Sequence, residues 1–178
     1  LPCKIMDICV HFQHTSMNHV YLMIGGNIGN RLDNLENARN SIELRCGPIQ
    51  KQSSIFETEA WGMKDQPAFY NQALCIETAL DPQNLMAMLL AIEVSMGRER
   101  LIPLGPRTID LDIIYFNQTI MDIPGLIIPH PRLALRNFVL APLVEIAPDF
   151  VHPILKKTNF QLYKESTDSS VVHKKTDL

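Results

Sequence analysis

Hydrophobic positions change period along the chain, and the changes mark its elements. Val20-Tyr21-Leu22-Met23-Ile24 is a continuous apolar run, which predicts a buried strand. Gly25-Gly26-Asn27-Ile28-Gly29-Asn30 follows; its glycine spacing is wrong for a dinucleotide fingerprint, so it reads as a tight strand-to-helix turn. Leu35, Ala38, Ile42 and Cys46 recur at helical spacing within a helix from about Leu32 to Cys46, stopped by Gly47-Pro48. Ser53 to Thr58 and Phe69 to Leu80 predict two further strands. Asp81-Pro82 is an N-cap with Pro at the first helical position. Leu85, Leu89, Ile92 and Met96 then mark the face of a second helix, ended by Gly97. Residues 109–116 form a fourth strand, Asn117-Gln118 a turn, and Thr119 to Ile123 a segment predicted to pair back. A short helix from about Val139 to Ile146 is bracketed by Pro142 and Pro148. This order predicts an α+β, ferredoxin-like βαββαβ fold: an antiparallel sheet with two helices on one face, plus C-terminal additions.

The period fails at both ends. Residues 1–18 read as an N-terminal extension or linker, 19–156 as one domain, and 157–178 as a polar tail or linker. The apolar fraction of 46% and charged fraction of 20% fit an ordinary globular domain with its own core. A net charge of −3 argues against bulk nucleic-acid or anionic-membrane binding, so any basic site must be local. No run reaches the length of a membrane span, and the N-terminus lacks the pattern of a signal peptide. Cys3, Cys9, Cys46 and Cys75 form no CxxC pair and fit reduced thiols in a cytoplasm. Cys9, His11 and His14 lack a fourth ligand at a recognised metal spacing.

The chemistry concentrates at Gly105-Pro106-Arg107-Thr108-Ile109-Asp110-Leu111-Asp112-Ile113-Ile114-Tyr115-Phe116. Strand alternation puts Asp110, Asp112, Ile114 and Phe116 on one face, and Ile109, Leu111, Ile113 and Tyr115 on the other. Two carboxylates about 6.6 Å apart along a strand repel each other unless solvated or bridged by cations. Arg107, just before them, can grip a phosphate oxygen. The pattern therefore supports a metal and phosphate site; its competitor is a pair of solvated acids. Arg98, Arg100 and Arg107 around one loop suit a polyphosphate clamp in that company, although arginines are usually a solvated surface. Pro129-His130-Pro131 is a rigid loop that fixes one imidazole, and Trp61 is either a packed anchor or a lid. Periodicity alone makes Glu93 an exposed helix acid.

The 105–114 stretch resembles the signature of 6-hydroxymethyl-7,8-dihydropterin pyrophosphokinases, enzymes of folate biosynthesis. Ile24-Gly25-Gly26-Asn27-Ile28-Gly29, Phe56-Glu57-Thr58, Asp65-Gln66-Pro67, Tyr70-Asn71, Glu93 with Gly97-Arg98, Pro129-His130-Pro131 and Arg136-Asn137-Phe138 extend the resemblance over about residues 19–155. It implies transfer of pyrophosphate from ATP to the pterin hydroxymethyl group, giving AMP. Asp110 and Asp112 would hold two magnesium ions and, with Arg98 and Arg107, form the catalytic set. The implied ATP-binding residues are Glu93, Arg98, Arg107, Ile113, His130 and Arg136. The implied pterin-binding residues are Thr58, Trp61, Phe69, Asn71, Asp110 and Phe138. The chain departs from some members at Leu104, where they carry Trp, and at Ala60, where Pro is frequent. Fusion to other folate-pathway enzymes occurs in the family, so either end fits a former linker. Two other classes compete: a different Asp-x-Asp transferase, which usually sits on a parallel sheet, and a ferredoxin-like module that binds nucleotide without turnover.

Overall fold

The computed structural model describes residues 17–60, 66–98 and 105–176. Its main sheet is antiparallel. Strand β1 (Asn18–Gly26) lies between β5 (Asp110–Phe116) and β4 (Phe69–Thr78), and β4 carries β2 (Ile49–Gln52) and β3 (Phe56–Thr58) along its other edge. Helices α1 (Arg31–Arg45) and α2 (Pro82–Ser95) cover one face. Leu35, Ala38 and Ile42 of α1 and Leu85, Leu89 and Ile92 of α2 pack there against Val20, Leu22, Ile24, Leu74 and Ile76. The expected ferredoxin-like order is present, and the N-cap at Asp81 is formed: its Oδ1 accepts the Asn84 N–H at 2.9 Å.

Part of the opposite face is closed by α3 (Asn137–Ile146), whose Val139, Leu140 and Leu143 pack with Met23, Ala73, Ile114 and Tyr115. The rest of that face is left for the site. Pro142 lies inside α3, not at its edge, and costs the helix one backbone bond.

Four sequence expectations need correction. Of the strand expected at Ser53–Thr58 only Phe56–Thr58 forms: Ser53 Oγ accepts the Ala73 N–H at 2.9 Å, replacing a ladder carbonyl, and the strand before the break, β2, lies outside the expected segment. The segment expected to pair back from 119–123 forms β6 (Met121–Ile123), which pairs with β7 (Leu126–Ile128) in a separate ribbon. The face assignment of β5 fails beyond Ile113. Leu22 pairs with Ile113 and Tyr21 with Tyr115, so Ile114 is an extra residue in a β-bulge. Asp110, Asp112 and Ile114 keep their shared face, but Tyr115 joins the α3 side and Phe116 the α1–α2 side.

The fourth correction concerns 157–178. Within it, α4 (Asn159–Glu165) starts with a capping box: Thr158 Oγ1 accepts the Gln161 N–H at 3.1 Å, and Gln161 Oε1 accepts the Thr158 N–H at 2.9 Å. Buried Asn159 donates to Ala147 O and accepts from the Tyr115 hydroxyl, both at 2.8 Å. Strand β8 (Val172–Lys174) then pairs with β3 at the sheet edge. Among the described residues, no helix is long and apolar enough to cross a membrane.

One buried group here predicts an acid response. His152 Nδ1 accepts the N–H groups of Ile154 and Leu155 at 3.1 and 3.2 Å, and burial lowers its pKa. An imidazole whose folded pKa is depressed contributes stability above the unfolded pKa, about 6.5, and loses it as pH falls toward the folded value. His152→Asn, which keeps an acceptor, is expected to show a smaller loss of melting temperature between pH 7.5 and 5.5 than the parent. Thermal scans at the two pH values check this; equal losses would contradict it. His130 responds in the same sense, so the difference between variant and parent isolates His152.

Candidate functional site

The site lies where β1, β4 and β5 approach the start of α3. Close backbone approach at the end of β1 creates it. A Cβ on Gly26 would lie 2.1 Å from Thr108 O, and one on Gly25 would lie 2.3 Å from Asn71 Oδ1. Glycine at these two positions is what lets the Arg107–Thr108 backbone and the Asn71 amide sit against the strand. Asn27 fastens the next layer. Its Oδ1 accepts the Arg107 N–H at 2.9 Å, and its Nδ2 donates to Gln66 Oε1 and Pro67 O at 3.1 and 3.0 Å. Asn27 therefore braces two loops.

The acids and arginines interlock. Asp110 Oδ1 accepts from Arg98 Nη1 at 2.5 Å, and its Oδ2 lies 2.9 Å from Arg107 Nε. Gly97, with φ +78°, ends α2 and turns Arg98 toward the sheet. Glu93 lies beneath them with 2% exposure, which overturns the expectation of an exposed helix acid. It accepts from Arg98 Nη1 and, at 2.8 Å, from the Leu111 N–H. Burial, then the charges of Asp110 and Glu93, push the Asp112 carboxyl up to about 7 against the pull of Arg107 and Arg98. An acid so placed is short of positive charge.

A cavity of about 290 Å³ opens over these groups. Thr58, Phe69, Asn71, Arg98, Arg107, Asp110, His130, Arg136 and Phe138 line it, so most of the expected site residues come together. Asn71 Nδ2 donates to Thr58 Oγ1 at 2.8 Å, and both residues are buried. The Arg107 guanidinium lies 4.8 Å from the centre of the Phe69 ring, and that of Arg136 lies 5.5 Å from Phe138. His130 Nδ1 accepts the Arg132 N–H at 3.2 Å; burial, then Arg136 and Arg132, lower its pKa to about 4, so it is neutral at pH 7. A second cleft shares His130 and Pro131 with the first and is lined by Asp112, Ile113, Met86 and the β6–β7 ribbon. Glu93 lines neither cleft. Glu59 and Arg132, which the sequence did not single out, line the first. Trp61, Arg100 and Leu104 lie outside the described residues.

The antiparallel sheet removes the parallel-sheet Asp-x-Asp transferases from consideration. Residues 21–148 match the family model of 7,8-dihydro-6-hydroxymethylpterin-pyrophosphokinase, HPPK. The chain belongs to this family. A 2-amino-4-hydroxy-6-hydroxymethyldihydropteridine pyrophosphokinase of Synechocystis is 43% identical to it over 143 residues, 80% of this chain and 73% of that protein. The folic acid synthesis protein fol1 of Pneumocystis carinii is 38% identical over 152 residues, 85% of this chain. The chain spans only 20% of that protein's length and 24% of the corresponding Dictyostelium discoideum protein. The fold is also that of a Plasmodium falciparum HPPK-DHPS crystal structure with pterin and p-hydroxybenzoate. That structure has a TM-score of 0.70 and 18% identity, covering 84% of this chain and 42% of its own.

The resemblance noted in the sequence implies magnesium, and the donor set bears on that expectation. Among the described residues, no three His, Cys, Asp or Glu side chains group into a protein-only metal centre. Two hard carboxylates on one strand face beside a cleft do fit a cation that takes one or two protein acids and completes its shell with phosphate oxygens and water. The raised pKa of Asp112 fits as well, because a cation there would offset the crowding of Asp110 and Glu93.

Proposed function

We propose that this chain transfers pyrophosphate from ATP to the hydroxymethyl group of 6-hydroxymethyl-7,8-dihydropterin, giving AMP and the pterin diphosphate, as a magnesium-dependent step of folate biosynthesis. The observation that carries this reading is a pair of clefts that meet at His130 and Pro131. The first sets an aromatic and amide-lined wall, Phe138, Phe69 and Asn71, beside Arg98, Arg107 and Asp110, and Asp112 lines the second. The pterin ring stacks on Phe138, with Phe69 completing the apolar wall. Asn71, held by Thr58, offers both a donor and an acceptor to the ring's polar edge.

The triphosphate lies over Arg98, Arg107, Arg136 and neutral His130, and the nucleoside end extends toward Ile113 in the second cleft. Glu93 acts beneath Arg98, setting its direction without touching ATP. Asp110 and Asp112 would hold two magnesium ions, which would neutralise phosphate charge and favour ionisation of the hydroxyl. The hydroxyl oxygen forms a bond to the β-phosphorus, the α,β-bridging P–O bond breaks, AMP leaves and the hydroxyl proton is released. Such transfer depends on positioning and charge neutralisation, which these residues supply. The chain is further proposed to work fused to, or beside, another folate-pathway enzyme. That proposal is supported by its match to one part of longer relatives and by its fold likeness to HPPK-DHPS.

The test is incubation with ATP, magnesium and 6-hydroxymethyl-7,8-dihydropterin. Pterin consumption that requires both ATP and magnesium is expected. A folded protein that consumes no pterin would contradict the proposal and favour a nucleotide-binding module.

A further inference from the structure

Helix α3 presents Arg136 and Phe138 to the cavity, yet its own N-cap side chain makes no capping bond. The cap comes from a residue beyond the family match, which ends at 148. Asp168 Oδ2 accepts the Asn137 N–H at 2.7 Å, and Asp168 O accepts from Asn137 Nδ2 at 2.7 Å. An acid at this end also suits the helix dipole. Asp168 is itself fixed, because Ser170 N–H donates to its Oδ1 at 2.9 Å and Ser170 Oγ to its Oδ2 at 2.7 Å. Burial opposes its ionisation, but the bonds from Asn137 and Ser170, with the charge of Arg136, hold its carboxyl below the usual range.

The chain then runs into β8, which pairs Val172 with Thr58, His173 with Glu57 and Lys174 with Phe56. Thr58 is the residue that holds Asn71. The same short segment therefore grips both walls of the pterin end: α3 through Asp168, and β3 through β8. Neither grip reaches β5, where Asp110 and Asp112 stand.

We propose that Asp168, with strand β8, is a positioning element for the pterin subsite, aligning Phe138 against Asn71 and Thr58. This rests on the function proposed above. The experiment is calorimetric binding of 6-hydroxymethyl-7,8-dihydropterin in the presence of magnesium and a non-hydrolysable ATP analogue, with binding of the analogue alone as the internal comparison. Asp168→Ala is expected to weaken pterin binding about three- to tenfold, the scale of one lost helix cap. Analogue affinity should fall by less than pterin affinity, because Arg136 alone among the triphosphate arginines lies beside Asp168, and Asp168→Asn, which keeps an acceptor, should recover pterin binding to within about twofold. If Asp168→Ala does not fold, Ser170→Ala loosens the same carboxylate and should weaken pterin binding by about two- to threefold. Unchanged pterin affinity in a folded variant would overturn the proposal. So would an equal loss for both ligands that Asn does not restore. A parent protein that binds no pterin would instead overturn the functional reading beneath it.

Discussion

Asp110→Asn and Asp112→Asn are each expected to lower turnover at least about a hundredfold while leaving a folded protein. Asparagine keeps the shape of the side chain but removes the charge that binds a hard cation. Without it, the charge that develops on the transferred phosphates is poorly neutralised. A loss of several kcal/mol follows, at a factor of ten per 1.36 kcal/mol, roughly. The structure separates the two variants in a way that the strand pattern did not. The pattern makes both acids alike, so that removing either relieves repulsion. In the fold, Asp110 is the partner of Arg98 and Arg107. Among the described residues Asp112 makes no ion pair and is crowded by Asp110 and Glu93. Metal-free Asp112→Asn should therefore melt at or above the parent temperature, and Asp110→Asn below it. Single-turnover assays with saturating ATP and thermal scans in chelator check both halves. Near-parental turnover in either variant would remove that residue from the metal site.

Glu93→Ala is expected to cost about 3 kcal/mol of stability, at the lower end for breaking a buried ion pair because Arg98 keeps Asp110. The deletion leaves the Leu111 N–H without its acceptor beneath the strand that carries both aspartates. For a chain of this size, that corresponds to a melting temperature lower by about 6–12 °C. Turnover should fall too, since Arg98 would lose one of the two carboxylates that aim it. Glu93→Gln can still accept from Leu111 and should recover part of the stability. Calorimetric scans of the three proteins decide the matter. A Glu93→Ala protein melting within about 1 °C of the parent would mean that Glu93 is the solvated acid its helical position suggests.

Glu93 also illustrates where the sequence stops being legible. On the helical pattern it flanks Leu89 and is not one of the apolar stripe. Its burial is conferred by Arg98 from beyond the helix end and by Leu111 from another strand. Local spacing carries no trace of either partner. The apolar period was enough for β1, α1, β4 and α2, because their buried faces are continuous. It was enough for the shared face of Asp110 and Asp112, but not for Tyr115 and Phe116. A bulge at Ile114 depends on the register against β1, not on the order of side chains in β5.

The C-terminal segment divides in the same way. The capping box at Thr158 and Gln161 is a local signal that polar composition concealed. Val172-His173-Lys174 is too short to show alternation and becomes a strand only because β3 offers an edge. Asn71, Phe138, Arg136 and His130 are far apart in the chain. Only their resemblance to the family's motifs placed them in one site before the fold did.

If a two-phosphate unit moves in one step, the identity of the nucleotide product reveals it. The protein is incubated with ATP, magnesium and 6-hydroxymethyl-7,8-dihydropterin, and the nucleotides are separated by chromatography as the pterin is consumed. AMP rising in equal amount to the pterin consumed is the predicted result; ADP as the stoichiometric product would contradict it and make the reaction an ordinary single-phosphate transfer.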